Sequence, residues 1–466
     1  MAHLSQMGQE ETFADLWSAL GGDARARERV SFGGVGELPS VYAVTDLAVA
    51  QITAAVLAIT EVHAARTGEA PRPVHVERGH AVAAFRSERY LRAIGWEIPA
   101  PWDPIAGDYR AKDGWIRLHT NYAYHRDAAL GVLGTRNEKD DVTRAVAMWD
   151  KDTLEAAVVA AGGCAAAMHT AAEWRAHPQG AAVAREPLVA VEAVAAPAPS
   201  FAAAPGAPLA GVRVLDLTRV IAGPVCTRVL AAYGADVMRV DPPGFQEVGA
   251  LLSETTAGKR RTSLDLRRAG DRVAFEALVA GAHVLVVGYR GDVLERLGYD
   301  LATLRRLNPS LVVAALDAYG WSGPWHSPSR RGFNSLVQMT CGIAARGQEM
   351  KGAEAPFPLP AQALDHGTGY LLAAATCRAL VRAITAGEAT SVRVSLARTA
   401  GWLMDIGEQP TLDHHDFTVR DAAPWTEEAR SPWGRLSRVR CPGRIAGIAA
   451  EWSRPPGALG VDAPVW

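Results

Sequence analysis

The sequence lacks the features that mark secreted, zinc-binding or membrane proteins. Its five cysteines (Cys164, Cys226, Cys341, Cys377 and Cys441) are scattered without a CxxC pair, which argues against a zinc site and a disulfide framework. The N-terminus has no basic start followed by an apolar run, so it does not read as a secretory leader. The longest apolar stretches are alanine-rich and interrupted by charge, and we expect them to fall short of a bilayer span. These absences predict a cytoplasmic protein without a metal centre.

An excess of charge of either sign is also absent. The 466 residues carry 48 basic and 50 acidic side chains, a formal net charge of -2, so no overall field attracts nucleic acid or an anionic membrane. Any basic binding site must therefore be local. Hydrophobic residues make up 49% of the chain, enough to bury a core, and the length predicts two or three domains.

The clearest boundary is the segment AAPAPSFAAAPGAP, residues 195–208, where alternating Pro and Ala favour an extended linker. It divides the chain into a first module, 1–194, and a second, 209–466. Within 211–320, short β-branched runs alternate with amphipathic helices, which predicts an α/β fold with a parallel, doubly wound sheet. The first module is mostly helical by pattern, with one mixed unit at 113–121.

An internal repeat connects the two modules. The segments that begin at Val44 and Ala363 each contain an aspartate, a long Ala-rich helix, a Gly-Glu-Ala at the same spacing and then a β-like run. Asp46 and Asp365 therefore occupy equivalent positions near a helix N-terminus, where free amides favour an ionised carboxylate. An ionised carboxylate can attack a thioester. From the local pattern alone, a helix-capping aspartate is the simpler interpretation.

A second group of candidates lies where the first predicted sheet strand ends. In RVLDLTRVIAGPVCTRVL, the turn contains Arg219, Val220, Ile221 and Ala222, and Pro224 suits the first turn of the next helix. Nucleotides bind in this crevice of open α/β sheets. No GxGxxG follows, so a dinucleotide fingerprint is absent and a purely structural turn is the alternative.

Basic residues cluster near the same predicted sheet edge. The basic residues Lys259, Arg260, Arg261 and Arg267 come from the segment GKRRTSLDLRR. Gly288, Tyr289 and Arg296 come from VVGYRGDVLERLGYD and are expected near the same edge. Charges of this kind usually form a solvated face. Beside a nucleotide crevice, they favour a phosphate-binding role.

Four segments, taken together, resemble the family III CoA-transferases of the CaiB/BaiF type. They are LAGVRVLDLTRVIAGPVCTRVLAAYGADVMRVDPPG, GKRRTSLDL, VLERLGYDLATLRRLNPSLVV and the ALDHGTG helix. The resemblance runs from about Leu209 to Leu396. It implies a Rossmann-like large domain that binds coenzyme A and a smaller α+β domain, for which residues 100–190 are the candidate. It also implies acyl-CoA and carboxylate substrates, no metal, and a homodimer or, through the internal duplication, a pseudo-dimer.

The resemblance assigns the family's nucleophilic aspartate to Asp365, which would form an acyl-aspartyl anhydride and then an aspartyl-CoA thioester. It assigns the coenzyme A contacts to Arg219, Val220, Ile221, Ala222, Leu264, Arg267, Gly288, Tyr289, Arg296 and Arg331. No nucleotide-binding segment precedes Asp46 as one precedes Asp365, so we expect Asp46 to have a structural or substrate-shaping role.

Departures from the family pattern leave two alternatives open. The glycine-rich loop that covers the aspartate in part of the family has no counterpart, and residues 104–107 (PIAG) stand roughly there. This departure favours a catalytically silent partner subunit. The other alternative is a 2-methylacyl-CoA racemase that uses Asp365 and His366, but Phe333 stands where its general base is expected.

Overall fold

The computed structural model describes residues 7–201, 206–413 and 415–466, so residues 202–205 of the predicted linker lie outside the described residues. The strands are, in chain order, Val30–Gly33 (β1), Val74–Glu77 (β2), Arg92–Ile94 (β3), Gly107–Arg110 (β4), Trp115–Leu118 (β5), Ala165–Ala167 (β6), Ala190–Ala195 (β7), Arg213–Leu217 (β8), Asp236–Asp241 (β9), Lys259–Ser263 (β10), Val284–Val287 (β11), Val312–Asp317 (β12), Glu388–Ser395 (β13), Thr426–Ser431 (β14), Gly434–Val439 (β15) and Arg444–Ile445 (β16).

The α-helices are Gln9–Ala19 (α1), Val44–Thr67 (α2), Arg78–Ala84 (α3), Ser87–Tyr90 (α4), Ala123–Leu133 (α5), Lys139–Val146 (α6), Lys151–Ala160 (α7), Ala171–Ala176 (α8), Pro178–Val183 (α9), Ala222–Ala232 (α10), Gly249–Thr255 (α11), Ala269–Gly281 (α12), Val293–Arg296 (α13), Leu301–Leu307 (α14), Asn334–Thr340 (α15), Ile343–Lys351 (α16), Ala363–Ala386 (α17), Leu396–Ile406 (α18) and Val419–Ala422 (α19). Short 3-10 helices occupy Ala24–Arg29 and Ala423–Trp425.

The central sheet has seven strands in the order β10-β9-β8-β11-β12-β13-β7. Strands β8 to β13 are parallel, and β7 pairs antiparallel with β13. Alternate residues of β8 pack on opposite faces, with Val214 in one core cluster and Leu215 in another, as expected for a sheet covered on both sides. This arrangement confirms the predicted α/β class. The strand order reverses between β8 and β11, where doubly wound folds bind nucleotides.

A smaller α+β unit precedes the central sheet in the chain. The antiparallel strands β4, β5 and β6 pack with helices α5, α6 and α7 around Ile105, Ile116 and Leu154. It lies within residues 100–190, the candidate for the smaller domain that the family resemblance implies. Two further three-stranded sheets combine C-terminal strands with strands from the first module: β16 joins β1 and β2, and β14 and β15 join β3.

The internal repeat forms α2 and α17, two helices of 24 residues each that pack against one another in the largest core cluster. Both end at a glycine with positive φ, Gly68 and Gly387, the conformation that closes a helix C-terminus. Helix α2 is long and apolar enough to cross a membrane by length and composition, but 89% of its apolar window is buried inside the protein. The expectation that every apolar stretch is too short for a bilayer was therefore wrong for α2, which is a core helix here.

The hydrophobic core crosses the predicted boundary at residues 195–208. Strand β7, which ends at Ala195, adds to the edge of the second module's sheet. The Arg66 guanidinium at the end of α2 donates hydrogen bonds to the carbonyl oxygens of Pro208 and Ala210 at 2.9 and 2.7 Å. The limits 1–194 and 209–466 stay a prediction about folding units, because the two modules share one core in the structure.

Candidate active site

A cavity of about 540 Å³, here called the sheet cavity, lies at the carboxyl ends of β8, β11 and β12, where the strand order reverses. The predicted coenzyme A contacts in its wall are Arg219, Val220, Ile221, Ala222, Leu264, Arg267, Gly288, Tyr289 and Arg331. Asp365 also lines it. The parallel topology therefore gathers residues that are more than a hundred positions apart into one site.

Arg296 is the predicted contact that does not line the sheet cavity. It ends α13, whose first residue, Val293, lines the cavity, as does Leu297 directly after the helix. Val293 and Leu297 are four residues apart and share a helix face, whereas Arg296 lies about 100° around the helix from Leu297. Its side chain is 57% exposed and lies 3.4 Å from Asp292.

The basic segment before Arg267 has a structural role, contrary to the phosphate-binding interpretation. Lys259 and Arg260 lie inside β10. The buried Lys259 ammonium donates to Asp216 at 3.0 Å, and Arg260 pairs with Asp236 at 2.6 Å. The Arg261 backbone amide donates to Asp462 at 2.7 Å. Carboxylates therefore pair with the Lys259 and Arg260 side chains, and of this basic segment only Arg267 lines the cavity.

Two arginines that the sequence analysis did not select, Arg290 and Arg330, also line the sheet cavity. They follow Tyr289 and precede Arg331 directly, so adjacency to selected residues was the available indication. Arg330 pairs with Glu155, whereas Arg290 and Arg331 have no ion pair within the described residues. Burial and the nearby Arg331 lower the pKa of the Arg290 guanidinium. An anion between Arg290 and Arg331 would relieve this repulsion.

The turn after β8 is strained and is held by a buried carboxylate. Val220 has φ of 64°, a region that β-branched residues rarely adopt. Its backbone amide donates to Glu247 Oε2 at 3.1 Å. Arg239 and Tyr122 also donate to Glu247, at 2.9 and 2.8 Å. Burial opposes its ionisation, but Arg239 and these hydrogen bonds hold the pKa of Glu247 below its ordinary value.

A second cavity of about 750 Å³, here called the side cavity, adjoins the first. It lies between the segment 88–102, helix α11 and the residues that precede α17. The residues that line both cavities are Tyr122, Val220, Ile221, Phe333 and Asp365. Asp365 therefore stands where the two cavities meet.

The Asp365 side chain is buried and unpaired. Helix α17 begins at Ala363 with Gln362 as its N-cap, so Asp365 is the third helical residue and the capping interpretation was wrong. Within the described part of the chain, its carboxyl group accepts no hydrogen bond and has no cation at ion-pair distance. Burial, with the nearby charge of Glu88, raises the pKa of Asp365 to about 8. This direction is opposite to the expectation that the helix N-terminus holds the carboxylate ionised.

Neighbouring residues fix the start of α17. Asn334 donates to Gln362 and accepts the backbone amide of Leu364 at 3.1 Å. A Cβ at Gly369 would collide with the Ala222 carbonyl oxygen, so glycine lets α17 approach the turn after β8. This close contact sets Asp365 beside the strained turn.

Asp46, the repeat equivalent of Asp365, is paired instead. It is also the third residue of its helix, and its Oδ1 accepts a hydrogen bond from Arg78 at 2.6 Å. Arg78 also pairs with Glu37 at 2.5 Å. Asp46 lines neither cavity. The two copies thus place one carboxylate in an ion-pair cluster and the other in a cavity.

Unlike Asp365, His366 is not part of either cavity wall. Its Nε2 lies 2.9 Å from Glu88 Oε2, and its ring stacks on Phe85 with centroids 5.6 Å apart. It lines neither cavity, whereas Phe333 lines both. An imidazole held in this way does not face a substrate carbon, which weighs against the racemase alternative.

The segment 104–107 does not cover Asp365. Ile105 is fully buried in the small α+β core, and Gly107 begins β4. The preceding segment, 98–102, forms part of the side-cavity wall. Residues 104–107 line neither cavity, so they do not stand beside Asp365 as expected.

One group of potential metal ligands lies in the small unit and consists of Asp152, Glu155 and His169. Cations already approach these atoms. Arg330 pairs with Glu155, and the Lys151 ammonium lies 3.8 Å from Asp152 and 3.5 Å from His169. The arrangement favours internal ion pairs over metal coordination.

The raised pKa of Asp365 leads to a prediction for the pH profile of any reaction in which it is the nucleophile. Only the ionised form attacks, so kcat/KM should rise about tenfold per pH unit below the pKa and level off above about pH 8. A profile measured from about pH 5.5 to 9.5 checks this expectation. A profile that is flat through this range would contradict it.

Comparisons with known proteins relate part of the chain to CoA-transferases. The family model "CoA-transferase family III" matches residues 209–421. Acetyl-coenzyme A transferase nodX of Hypoxylon pulicicidum is 34% identical over 225 residues, which cover 47% of this chain and 37% of that protein. Formyl-CoA:oxalate CoA-transferase of Rhodopseudomonas palustris strain TIE-1 is 30% identical over 282 residues, which cover 55% of this chain and 64% of that protein.

Among solved structures, Rv3272 from M. tuberculosis aligns with a TM-score of 0.38 at 30% identity, over 43% of this chain and 59% of that one. The chain spans less than two thirds of the length of the curated relatives named above. The matched region, 209–421, contains the turn after β8 and Asp365. It does not contain the first module.

Proposed function

We propose that this chain, which belongs to CoA-transferase family III, transfers coenzyme A between carboxylic acids with Asp365 as the covalent nucleophile. The observation that carries the proposal is the position of Asp365, a buried carboxyl group at the junction of two cavities. One of these cavities is lined by arginines at the nucleotide-binding edge of the sheet. The relatives named above are an acetyl-coenzyme A transferase and a formyl-CoA:oxalate CoA-transferase.

In the proposed first half-reaction, an Asp365 oxygen attacks the thioester carbonyl carbon, the C–S bond breaks, and coenzyme A leaves as a thiolate. The product on the protein is an acyl-aspartyl anhydride. The thiolate then attacks the Asp365 carbonyl carbon and expels the donor as a free carboxylate, which leaves an aspartyl-CoA thioester. The thioester bond is thereby conserved.

In the second half-reaction, the acceptor carboxylate attacks the aspartyl thioester and releases the thiolate. The thiolate attacks the acceptor's acyl carbon in the new anhydride, which forms the product acyl-CoA and regenerates the Asp365 carboxylate. No net proton or electron is exchanged, so neither ATP nor an oxidant is required. A high pKa suits this role, because a more basic carboxylate is a stronger nucleophile once it is ionised.

The sheet cavity is the proposed site of coenzyme A. Arg290 and Arg331 lack carboxylate partners among the described residues and can bind its phosphates. Arg219 stacks on Phe245 and Tyr289, with its guanidinium carbon 3.8 and 4.9 Å from the ring centroids. These contacts, with Asp241 3.6 Å from its Nε, hold Arg219 in the wall of the cavity.

The internal repeat supports a pseudo-dimeric organisation. Helices α2 and α17 pack together within one chain, as two copies of one module would across a dimer interface. The five cysteines are free and buried, which supports the proposed cytoplasmic location. A homodimer of the whole chain stays the alternative, and its mass in solution distinguishes the two.

Trapping the intermediate tests the function. We expect incubation with acetyl-CoA and hydroxylamine to convert Asp365 into a hydroxamate, detected by mass spectrometry of the peptide that contains it. Asp365→Asn is expected to give no label. Asp46→Asn, the matched change at the third residue of α2, is expected to label normally at Asp365. A protein that binds acetyl-CoA but never labels would support the silent-subunit alternative and contradict the proposal.

A further inference from the structure

We propose that the side cavity holds an extended apolar acyl group, so that one substrate of the chain is a hydrophobic monocarboxylate or its CoA thioester. The inference rests on the proposed transfer at Asp365 and adds a substrate class to it. Its starting point is that Asp365 faces both cavities. With coenzyme A in the sheet cavity and the thioester carbon at Asp365, the acyl group extends into the side cavity.

The size of the side cavity exceeds what a small acyl group needs. At about 750 Å³, it falls in the range of roughly 300 to 1,000 Å³ that accommodates drug-sized ligands. A one-carbon or two-carbon acyl group would fill only its innermost part, beside Phe333 and Asp365. The remaining space would then hold water against the apolar part of the wall, which is unfavourable.

The wall has a large apolar part that comes from several distant segments. Leu91, Ile98, Leu251 of α11, Phe333 and Leu359 contribute to it, beside polar side chains such as Asn121, Ser335 and Gln362. Leu91, Leu251 and Leu359 are themselves buried. An alkyl or aryl chain inserted among them would bury apolar surface on both partners.

The charged groups in the wall do not offer a site for a second carboxylate. The Glu88 carboxylate pairs with His366 and would repel another anion. Arg89 and Arg92 are exposed at the rim, where they donate to the backbone carbonyls of Pro360 and Leu91 at 2.8 Å. Burial and the nearby Arg117 lower the pKa of His119 well below its ordinary value, so its imidazole is neutral. Among the described lining residues, no buried cation faces the interior.

The side cavity is also preformed. Pro99 and Pro101 restrict the backbone of its outer wall. The Asn121 side chain donates to the Pro101 carbonyl oxygen and accepts the Asp103 amide, both at 3.0 Å. A wall fixed in this way does not need to close around the acyl group, so little ordering entropy opposes binding.

Binding of acyl-CoA probes to the Asp365→Asn protein tests the inference without turnover. We expect calorimetry to show octanoyl-CoA binding more tightly than acetyl-CoA, by about fourfold for each methylene that becomes buried. Adipoyl-CoA, which ends in a carboxylate, is expected to bind more weakly than hexanoyl-CoA. Equal affinity for acetyl-CoA and octanoyl-CoA, or a preference for adipoyl-CoA, would overturn the proposal.

Matched substitutions on α11 locate the effect. Leu251→Trp, which narrows the side cavity, is expected to reduce the ratio of octanoyl to acetyl affinity to near one. Leu252→Trp is its control, because Leu252 is partly exposed and lines neither cavity. If Leu251→Trp fails to fold, Leu359→Ala tests the same wall by enlargement and is expected to shift the preference from octanoyl-CoA towards dodecanoyl-CoA. An unchanged ratio in a folded wall variant would overturn the assignment.

The two proposals fail in different ways. Hydroxylamine labelling of Asp365 without any chain-length preference would leave the transfer reaction intact and overturn the acyl site alone. A chain-length preference that Leu251→Trp removes, without labelling of Asp365, would keep the acyl site and overturn the transfer.

Discussion

Replacing Asp365 with asparagine is expected to abolish CoA transfer and, at alkaline pH, to make the folded protein more stable. The amide cannot attack a thioester, so we expect kcat/KM to fall by on the order of three orders of magnitude or more. Coenzyme A affinity is expected to change little, because the sheet-cavity arginines are untouched. A transfer assay and calorimetric titration with coenzyme A check both expectations. Substantial residual transfer would rule out Asp365 as the nucleophile.

The stability gain follows from the raised pKa of Asp365. Below about pH 4, both the folded and the unfolded chain carry a protonated carboxyl group, so its raised pKa does not penalise folding. Between pH 4 and about 8, the unfolded chain has released a proton that the folded chain retains, which favours unfolding. The penalty grows by about 1.4 kcal/mol per pH unit and is constant above the folded-state pKa. Asparagine has no such penalty.

Denaturant unfolding at two pH values measures this effect. The gain in the free energy of unfolding on Asp365→Asn is expected to be larger at about pH 8 than at about pH 5, by on the order of a few kcal/mol. Asp46→Asn is the comparison at the equivalent helix position. It breaks the Arg78 ion pair, so it is expected to lower stability. A gain for Asp365→Asn that does not grow with pH would contradict the burial of its carboxyl group.

Much of the second module could be predicted from the sequence, because its strands are short β-branched runs separated by amphipathic helices. The turn from Arg219 to Ala222 lies at the site because it follows β8, the strand at which the order of the sheet reverses. The start of β10 was harder to predict. Lys259 and Arg260 resemble solvated charges, and only their pairing with Asp216 and Asp236 in three dimensions allows them to lie in a strand.

The side cavity could not be predicted because no local pattern encodes it. Its walls come from residues near positions 90, 250 and 360 of the chain. The packing of α17, α11 and the small unit brings these distant residues together. The protonation state of Asp365 could not be predicted from the sequence either. A helix N-terminus contributes at most about 2 kcal/mol to an ionised carboxylate, whereas the opposing cost of burial depends on neighbours that the sequence does not reveal.

Removing the carboxylate of Glu247 is expected to be among the most destabilising single changes in the second module. Its side chain is fully buried and accepts hydrogen bonds from Arg239, Tyr122 and the backbone amide of Val220. Glu247→Ala leaves the buried Arg239 with Asp241 as its remaining partner. Breaking a buried ion pair on one side costs about 3–5 kcal/mol, and we expect a loss of that size in urea unfolding.

The same substitution links stability to the site. Val220 keeps its φ of 64° while Glu247 accepts its amide, and strained backbone persists only where the surroundings enforce it. Once Glu247 is removed, the turn is expected to relax and coenzyme A affinity to fall, even at temperatures where the variant remains folded. Glu295→Ala, at an exposed glutamate of α13, is the control and is expected to change neither property. If Glu247→Ala unfolded earlier but bound coenzyme A normally when folded, the carboxylate would support the fold alone, and the strain at Val220 would come from the packing of α10 against α17.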